Sequence, residues 1–325
     1  MEQRPLGRSG LHVSRLALGT MTWGRDTDRH EARDQLLAFL EAGGTLVDTA
    51  DVYADGMSEE VLGALLDEVG RDAVVVATKA VSRPGTARRL DASRGHLLAA
   101  LDASLRRLRV DHVDLWQLHA FDPATPLEET LSALDAAVRS GKVRYVGVSN
   151  YSGWQTAKAA ALQAARSHAA PLVSTQVEYS LLQRGIEREV VDAAADAGLG
   201  ILPWSPLGRG VLTGKYRHGT PADSRAASSH FARFVSPYLD DTSRSVVDAV
   251  CTAAEGLGVA PLEVALAWVR DRPGVVAPIL GARTAAQLRG ALTVEELELP
   301  DEIVTALEDV SAPALGYPDH PGASR

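Results

Sequence analysis

A single cysteine, Cys251, occurs in 325 residues. That scarcity excludes an internal disulfide and any zinc site built from several cysteines. No stretch approaches the ~18 consecutive apolar residues of a membrane-spanning helix, so no membrane partner is expected. Basic residues are the minority, 33 Lys+Arg against 42 Asp+Glu, with a formal net charge of −9. Nucleic acid is therefore not an expected partner, although a local basic pocket can exist within an acidic protein. The first ten residues have neither the basic start nor the apolar core of a signal peptide, which leads to the expectation of a cytoplasmic protein. Gly-x-Gly-x-x-Gly, His-Glu-x-x-His, EF-hand, P-loop and Gly-x-Ser-x-Gly motifs are all missing. Hydrolase, metalloprotease, calcium and NTPase readings thus have no anchor.

What is present is ordinary globular composition, 46% hydrophobic and 23% charged, arranged in a repeating pattern. Two extended pieces, 4–6 and 11–13, flank Gly-Arg-Ser-Gly and predict a hairpin acting as a plug. A strand over 14–20 then runs into Gly-Thr-Met at 19–21. Over 28–42, Ala32, Leu36, Leu37 and Leu40 share one helical face, and Gly43 and Gly44 stop that helix. The stretch 45–53, Thr-Leu-Val-Asp-Thr-Ala-Asp-Val-Tyr, is a short apolar strand delivering acidic and hydroxyl groups at its C-terminal end. Ser58 is read as the cap of the next helix, with Glu59 and Glu60 in its first turn.

Strand ends recur at Thr20, Asp48, Lys79, His119, Asn150, Gln176, Trp204 and Gly281, with helical patterns between them. Eight such units with no composition break predict one domain over 1–325, a (β/α)8 TIM barrel with an N-terminal β-hairpin. Periodicity disappears from 208 to about 242, which predicts a long loop after strand 7. A tail containing Pro313, Tyr317, Pro318 and Pro321 reads as extended.

In such a barrel the strand C-termini converge on one rim, and Asp48, Tyr53, Lys79 and His119 become neighbours. Taken singly, a strand-end lysine is a salt-bridge partner and a lone histidine a core residue. On consecutive strands they favour chemistry. An ammonium beside a phenol favours the phenolate, so Lys79 is expected to lower the Tyr53 pKa from about 10 toward the working range, with Asp48 holding the lysine charged. Tyr53 is then a proton donor, and His119 orients or polarises a carbonyl. Asp51 is assigned to the turn.

Val-Asp-Thr-Ala-Asp-Val-Tyr at 47–53, Ala-Thr-Lys at 77–79 and Asp-Leu-Trp-Gln-Leu-His at 114–119 carry a more specific signal. With Val-Gly-Val-Ser-Asn at 146–150, Gln176, and Pro-Trp-Ser-Pro-Leu-Gly-Arg-Gly at 203–210, they make six blocks in order. Along nearly its whole length the chain resembles the aldo-keto reductases, in a bacterial branch close to the potassium-channel β subunits. The resemblance implies that Asp48, Tyr53, Lys79 and His119 are catalytic. It also implies a nicotinamide cofactor: Ser149, Asn150 and Gln176 on its carboxamide, Trp204 stacked on its ring, and Ser205, Leu207, Gly210 and Lys215 along the pyrophosphate. Gly19, Thr20 and Met21, together with Asp48, complete the expected cofactor wall.

Gly-Ala-Arg-Thr-Ala-Ala-Gln at 281–287 opens the last barrel helix. A helix N-terminus attracts anions, so Gly281, Arg283 and Gln287 are assigned to the cofactor, with Arg283 on the 2′-phosphate of NADPH. Here the chain departs from the family pattern. Gly290 and Ala291 stand where many members carry Glu-Asn, and Gly281, Ala282 and Gln287 replace the phosphate clamp of some branches. NADPH is the expected cofactor, with NADH as the alternative.

The implied reaction is reduction of an aldehyde or ketone to an alcohol, with a small-molecule carbonyl as partner. Trp23 and Phe121 are assigned to the substrate pocket with Tyr53 and His119, and Tyr151, Phe231, Phe234 and Tyr238 are further aromatic candidates. The rival reading is a nicotinamide-sensing regulatory subunit with slow turnover, as in channel β subunits. A third, Schiff-base chemistry at Lys79, is disfavoured because a charged, paired lysine is a poor nucleophile. Oligomeric state is left open, with a monomer as the default.

Overall fold

Short runs of fully buried apolar residues alternate with helices that bury one face, and this alternation sets the architecture. The structure, a computed structural model, describes all residues except 218, 222–223, 228–231 and 315–325. An antiparallel hairpin, β1 (Gln3–Pro5) and β2 (His12–Ser14), comes first. β3 (Ala17–Gly19), α1 (Arg29–Glu41), β4 (Leu46–Asp48), α2 (Met57–Val69), β5 (Val75–Ala80), α3 (Arg94–Leu108), β6 (Val113–Leu118) and α4 (Leu127–Arg139) follow. Next are β7 (Val143–Ser149), α5 (Gly153–Ala164), β8 (Leu172–Glu178), α6 (Val190–Ala197), β9 (Gly200–Trp204), α7 (Ala232–Val235), α8 (Asp241–Leu257), α9 (Pro261–Arg270), β10 (Ile279–Gly281), α10 (Ala285–Leu292) and α11 (Asp301–Val310).

β3 to β10 form one parallel sheet in the order β10-β3-β4-β5-β6-β7-β8-β9, and a parallel bridge between Ile201 and Val275 joins its two ends. This is the (β/α)8 barrel the strand spacing predicts. Leu6 and Val13 of the hairpin are fully buried among Leu46, Leu115, Val173 and Leu202 inside the barrel, so the hairpin is indeed a plug. Burial of each such side chain stabilises by about 1.5–3 kcal/mol. Gly7 makes the plug possible. Its φ is +59°, and a Cβ there would lie 2.5 Å from the Val173 carbonyl oxygen. A second, larger core lies between the strands and the helices, with Leu36, Leu62, Leu101, Leu134 and Leu266 as members.

Several boundaries differ from the sequence expectation. α2 is preceded by Gly56 in the left-handed conformation, and Ser58 lies inside the helix. The Ser58 hydroxyl instead donates to the Thr20 carbonyl at 2.9 Å and meets the Thr20 and Thr49 hydroxyls. It ties three rim segments together and caps nothing. β10 begins only at Ile279, within the apolar run 275–280, and Val275 serves only as the closing bridge. The loop after β9 contains the 3-10 turns Gly208–Thr213, Arg225–Ala227 and Ser236–Tyr238 as well as α7. Tyr317, Pro318 and Pro321 lie outside the described residues. Among the described residues no single helix is long and apolar enough to cross a membrane.

Candidate active site

The parallel barrel puts every strand C-terminus on one rim, and the polar residues of the sequence sit there. Asp48 ends β4, Lys79 is the penultimate residue of β5, His119 follows β6, Ser149 ends β7, Gln176 lies in β8 and Trp204 ends β9. At the centre is Lys79, whose side chain is wholly buried. Its Nζ lies 2.6 Å from Asp48 Oδ2, 2.8 Å from the Thr49 carbonyl oxygen and 3.3 Å from Tyr53 Oη. The other Asp48 oxygen accepts from Gln176 Nε2 at 2.8 Å and from Gln117 Nε2 at 3.4 Å. A buried charge pair is tolerated only when its remaining hydrogen-bonding capacity is filled, and here it is.

Tyr53 reaches the lysine from a turn of unusual backbone. Ala54 and Asp55 are left-handed at φ 48° and 55°, and Gly56 follows at 93°. A left-handed alanine costs on the order of 1 kcal/mol. The Tyr53 and His119 rings meet edge to face, centroids 5.9 Å apart.

The electrostatics correct one expectation. Burial pushes the Tyr53 phenol up, Lys79 pulls it down and Asp48 pushes it up again, leaving it above its usual value. The lysine does not bring it toward the working range, because burial of the phenol, with Asp48 added to it, outweighs the pull of the ammonium. Tyr53 therefore carries its proton at neutral pH. Burial works against the Lys79 ammonium, but Asp48 and Tyr53 outweigh it and the ammonium is held firmly charged. His119 is lowered to about 3, first by burial and then by Lys79, so its imidazole is neutral. Its Nδ1 is buried with no hydrogen-bond partner among the described residues.

A cleft of about 790 Å³ opens above this cluster, within the range of small-molecule and cofactor sites. Its wall includes Gly19, Thr20, Met21, Asp48, Tyr53, His119, Ser149, Asn150, Gln176, Trp204, Ser205, Leu207, Gly210, Lys215, Gly281, Arg283 and Gln287. Those sequence-chosen residues thus come together along one groove. Asn150, left-handed at φ 57°, donates from Nδ2 to the His119 carbonyl at 2.9 Å and accepts from Trp204 Nε1 at 3.0 Å. The indole plane is thereby fixed at the groove wall.

Other choices fall elsewhere. Trp23 is wholly buried and donates to Gln35 Oε1 at 3.0 Å, so it is core and is absent from the cleft wall. Phe121 is absent from the cleft wall; its ring packs edge to face on Tyr151 and Trp154 at 5.3 and 5.7 Å. Tyr151 is buried beneath it. Phe234 does line the cleft, its ring 17° from the Trp204 plane, whereas Tyr238 donates to Glu178 Oε1 at 3.0 Å away from it, and Phe231 lies outside the described residues. At the α10 N-terminus three backbone amides are engaged within the protein: Arg283 N by Gln287 Oε1, Ala285 N by Glu31, and Gln287 N by Thr284 Oγ1. The Arg283 side chain, by contrast, meets no carboxylate among the described residues.

Sequence reasoning missed Arg209 and Leu262, both on the cleft wall. Arg209 sits in the quoted 203–210 block but carries no assignment there. In the structure it forms a two-point pair with Glu178 at 2.7 and 2.8 Å and lies 4.1 Å from the Phe234 ring centre. Leu262 comes from α9, where nothing local marks it.

The sequence profile of the Aldo/keto reductase family matches residues 15–312. The chain belongs to this family. As an aldo-keto reductase it is an NAD(P)H-dependent oxidoreductase. It is 38% identical over 321 residues to the protein named "Uncharacterized oxidoreductase YrpG" of Bacillus subtilis (strain 168), covering 95% of this chain and 96% of that one. It is 37% identical over 318 residues to a "Probable voltage-gated potassium channel subunit beta" of Oryza sativa subsp. japonica, covering 95% and 96%. With "Aldo-keto reductase YhdN" of Bacillus subtilis (strain 168) it shares 32% over 327 residues, covering 97% and 96%. The reductase's groove fits a nicotinamide dinucleotide in its donor set: the carboxamides of Asn150 and Gln176, the Ser149 hydroxyl, an indole bonded to Asn150, and the cations Lys215 and Arg283.

Proposed function

We propose that this aldo-keto reductase reduces an aldehyde or ketone to an alcohol, with Tyr53 as proton donor. The observation that carries the reading is the buried triplet in which Lys79 Nζ touches both Asp48 and Tyr53. When bound, the nicotinamide cofactor supplies hydride to the carbonyl carbon. Tyr53, neutral and facing the cleft, gives its proton to the carbonyl oxygen, and the adjacent Lys79 ammonium stabilises the phenolate left behind. Asp48 keeps that ammonium charged and in place. His119, neutral, steers the carbonyl oxygen toward Tyr53 by a hydrogen bond rather than as an acid. Ser149, Asn150 and Gln176 hold the nicotinamide carboxamide. Trp204 presents one flat face to the ring, which restricts reaction to one side. Arg283 selects NADPH through its 2′-phosphate, and the small-molecule carbonyl enters between Tyr53, His119 and Phe234.

Replacing Tyr53 with Phe keeps the ring and removes the proton. Turnover of 4-nitrobenzaldehyde with NADPH should then be lost while NADPH still quenches tryptophan fluorescence with near wild-type affinity; undiminished turnover would sink the assignment. Similarity to a channel β subunit favours a second reading, a nicotinamide-sensing subunit with slow turnover. A panel of aldehydes and ketones separates the two, since turnover slower than about one per minute on every member favours the sensor.

A further inference from the structure

Arg107 lies on α3, outside the cleft, yet its contacts lead back to the reacting groups. The turn that aims Tyr53 is not self-supporting, because three successive residues, Ala54, Asp55 and Gly56, are left-handed and two of them carry a Cβ. The Gly56 backbone rests on the Arg107 side chain: a Cβ at Gly56 would come within 2.9 Å of Arg107 Cδ and 3.0 Å of Nε. The same guanidinium grips the fully buried Glu59, with Nε 2.7 Å and Nη2 2.6 Å from Oε2. The other Glu59 oxygen accepts from Thr78 Oγ1 at 2.5 Å. Thr78 is the residue beside Lys79 in β5. One path of contacts therefore runs from the Tyr53 turn to the Lys79 strand, and Arg107 is its middle.

We propose that Arg107 is a positioning residue for the reduction: by bracing Gly56 and clamping Glu59 it holds the Tyr53 hydroxyl and the Lys79 ammonium in register. This rests on the reading of Tyr53 as proton donor. A second observation supports it from the side of charge. Asp51 packs in the same region, its Oδ1 buried and without a hydrogen-bond partner among the described residues. Burial and then Glu59 push its carboxyl up to about 7, while Arg107 opposes them. Arg107 thus favours the ionised form of Asp51 and supplies the compensating positive charge beside it. Geometry rather than binding is what it controls, since neither it nor Glu59 lines the cleft.

The test compares Arg107→Met, Arg107→Lys, Thr78→Val and Tyr53→Phe with the wild type. Thermal unfolding, NADPH affinity by fluorescence quenching, and kcat and KM for 4-nitrobenzaldehyde are measured well below each unfolding temperature. Arg107→Met should lower kcat by roughly 10-fold or more, since small displacements of reacting groups have large rate effects, with KM and NADPH affinity nearly unchanged. Arg107→Lys should recover part of kcat, because it restores a positive partner for Glu59 without the guanidinium face under Gly56. Thr78→Val removes only the last link and should lower kcat several-fold with little change in unfolding temperature. It decides the matter if Arg107→Met does not fold. Wild-type kcat in both Arg107→Met and Thr78→Val, with Tyr53→Phe inactive, overturns the positioning role alone. Turnover retained in Tyr53→Phe overturns the underlying reading instead.

Discussion

The Lys79 ammonium lies 2.6 Å from an Asp48 carboxylate oxygen, with 0% and 4% of the two side chains exposed. Two opposite charges so thoroughly removed from water depend on each other, and on the Gln176 and Gln117 amides that fill the second carboxylate oxygen. The lysine's charge is thereby set by the aspartate more than by the tyrosine it serves.

Asp48→Asn should therefore be costly beyond catalysis. The variant leaves the ammonium buried without its counter-charge, and breaking a buried pair in this way costs about 3–5 kcal/mol. The denaturant midpoint should fall accordingly and carbonyl turnover with it. Asp48→Asn combined with Lys79→Met should recover much of the stability but none of the turnover, which separates the two effects.

Asp51 makes a signed prediction for stability against pH. Its carboxyl rises from 3.8 to about 7 on folding, through burial first and Glu59 second. Between those values the folded state holds the proton and the unfolded state does not, so the native state is progressively disfavoured as pH rises through this window. Above about pH 7 both states are ionised and the penalty is complete; below about pH 4 both are protonated and it vanishes. Asp51→Asn should raise the unfolding temperature relative to wild type at pH 8 and lose that advantage by pH 4. An advantage that is equal at both pH values would contradict the raised carboxyl.

Arg283 lines the groove with no carboxylate partner among the described residues, whereas the Arg283, Ala285 and Gln287 amides already have acceptors. Selection of a 2′-phosphate then falls on the side chain. Arg283→Ala should weaken NADPH binding roughly 10- to 100-fold, the worth of a hydrogen-bonded charge contact, and leave NADH binding nearly unchanged. Equal losses for both cofactors would show that the arginine acts on something the two share.

Much of the fold was legible because its signals are local. The apolar run ending at Asp48 and the helical face of Ala32, Leu36 and Leu40 each report their own periodicity, and their alternation implies the barrel. The rim residues were legible for the same reason, since a polar group at the end of a buried strand stands out. Trp23 and Phe121 failed because an aromatic near a strand end looks alike whether it faces a cleft or a core. Trp23 points inward to Gln35, and Phe121 turns aside onto Tyr151 and Trp154. Ser58 failed because the helix already starts at Met57, so its hydroxyl lies inside the first turn and bonds the rim residues Thr20 and Thr49.

The sequence by itself determined which chemical groups reach the rim and in what order, because strand and helix patterns are written in neighbouring residues. Only the tertiary structure decided what those groups do to one another. Lys79 meets Asp48 from 31 residues away and Tyr53 from 26, and the tyrosine's proton affinity depends first on burial and then on the opposing charges of Lys79 and Asp48. Such quantities arise from strand pairing and packing, which no local pattern records. Packing of α3 on α2 brings Arg107, never singled out in the sequence, up against the turn that holds Tyr53.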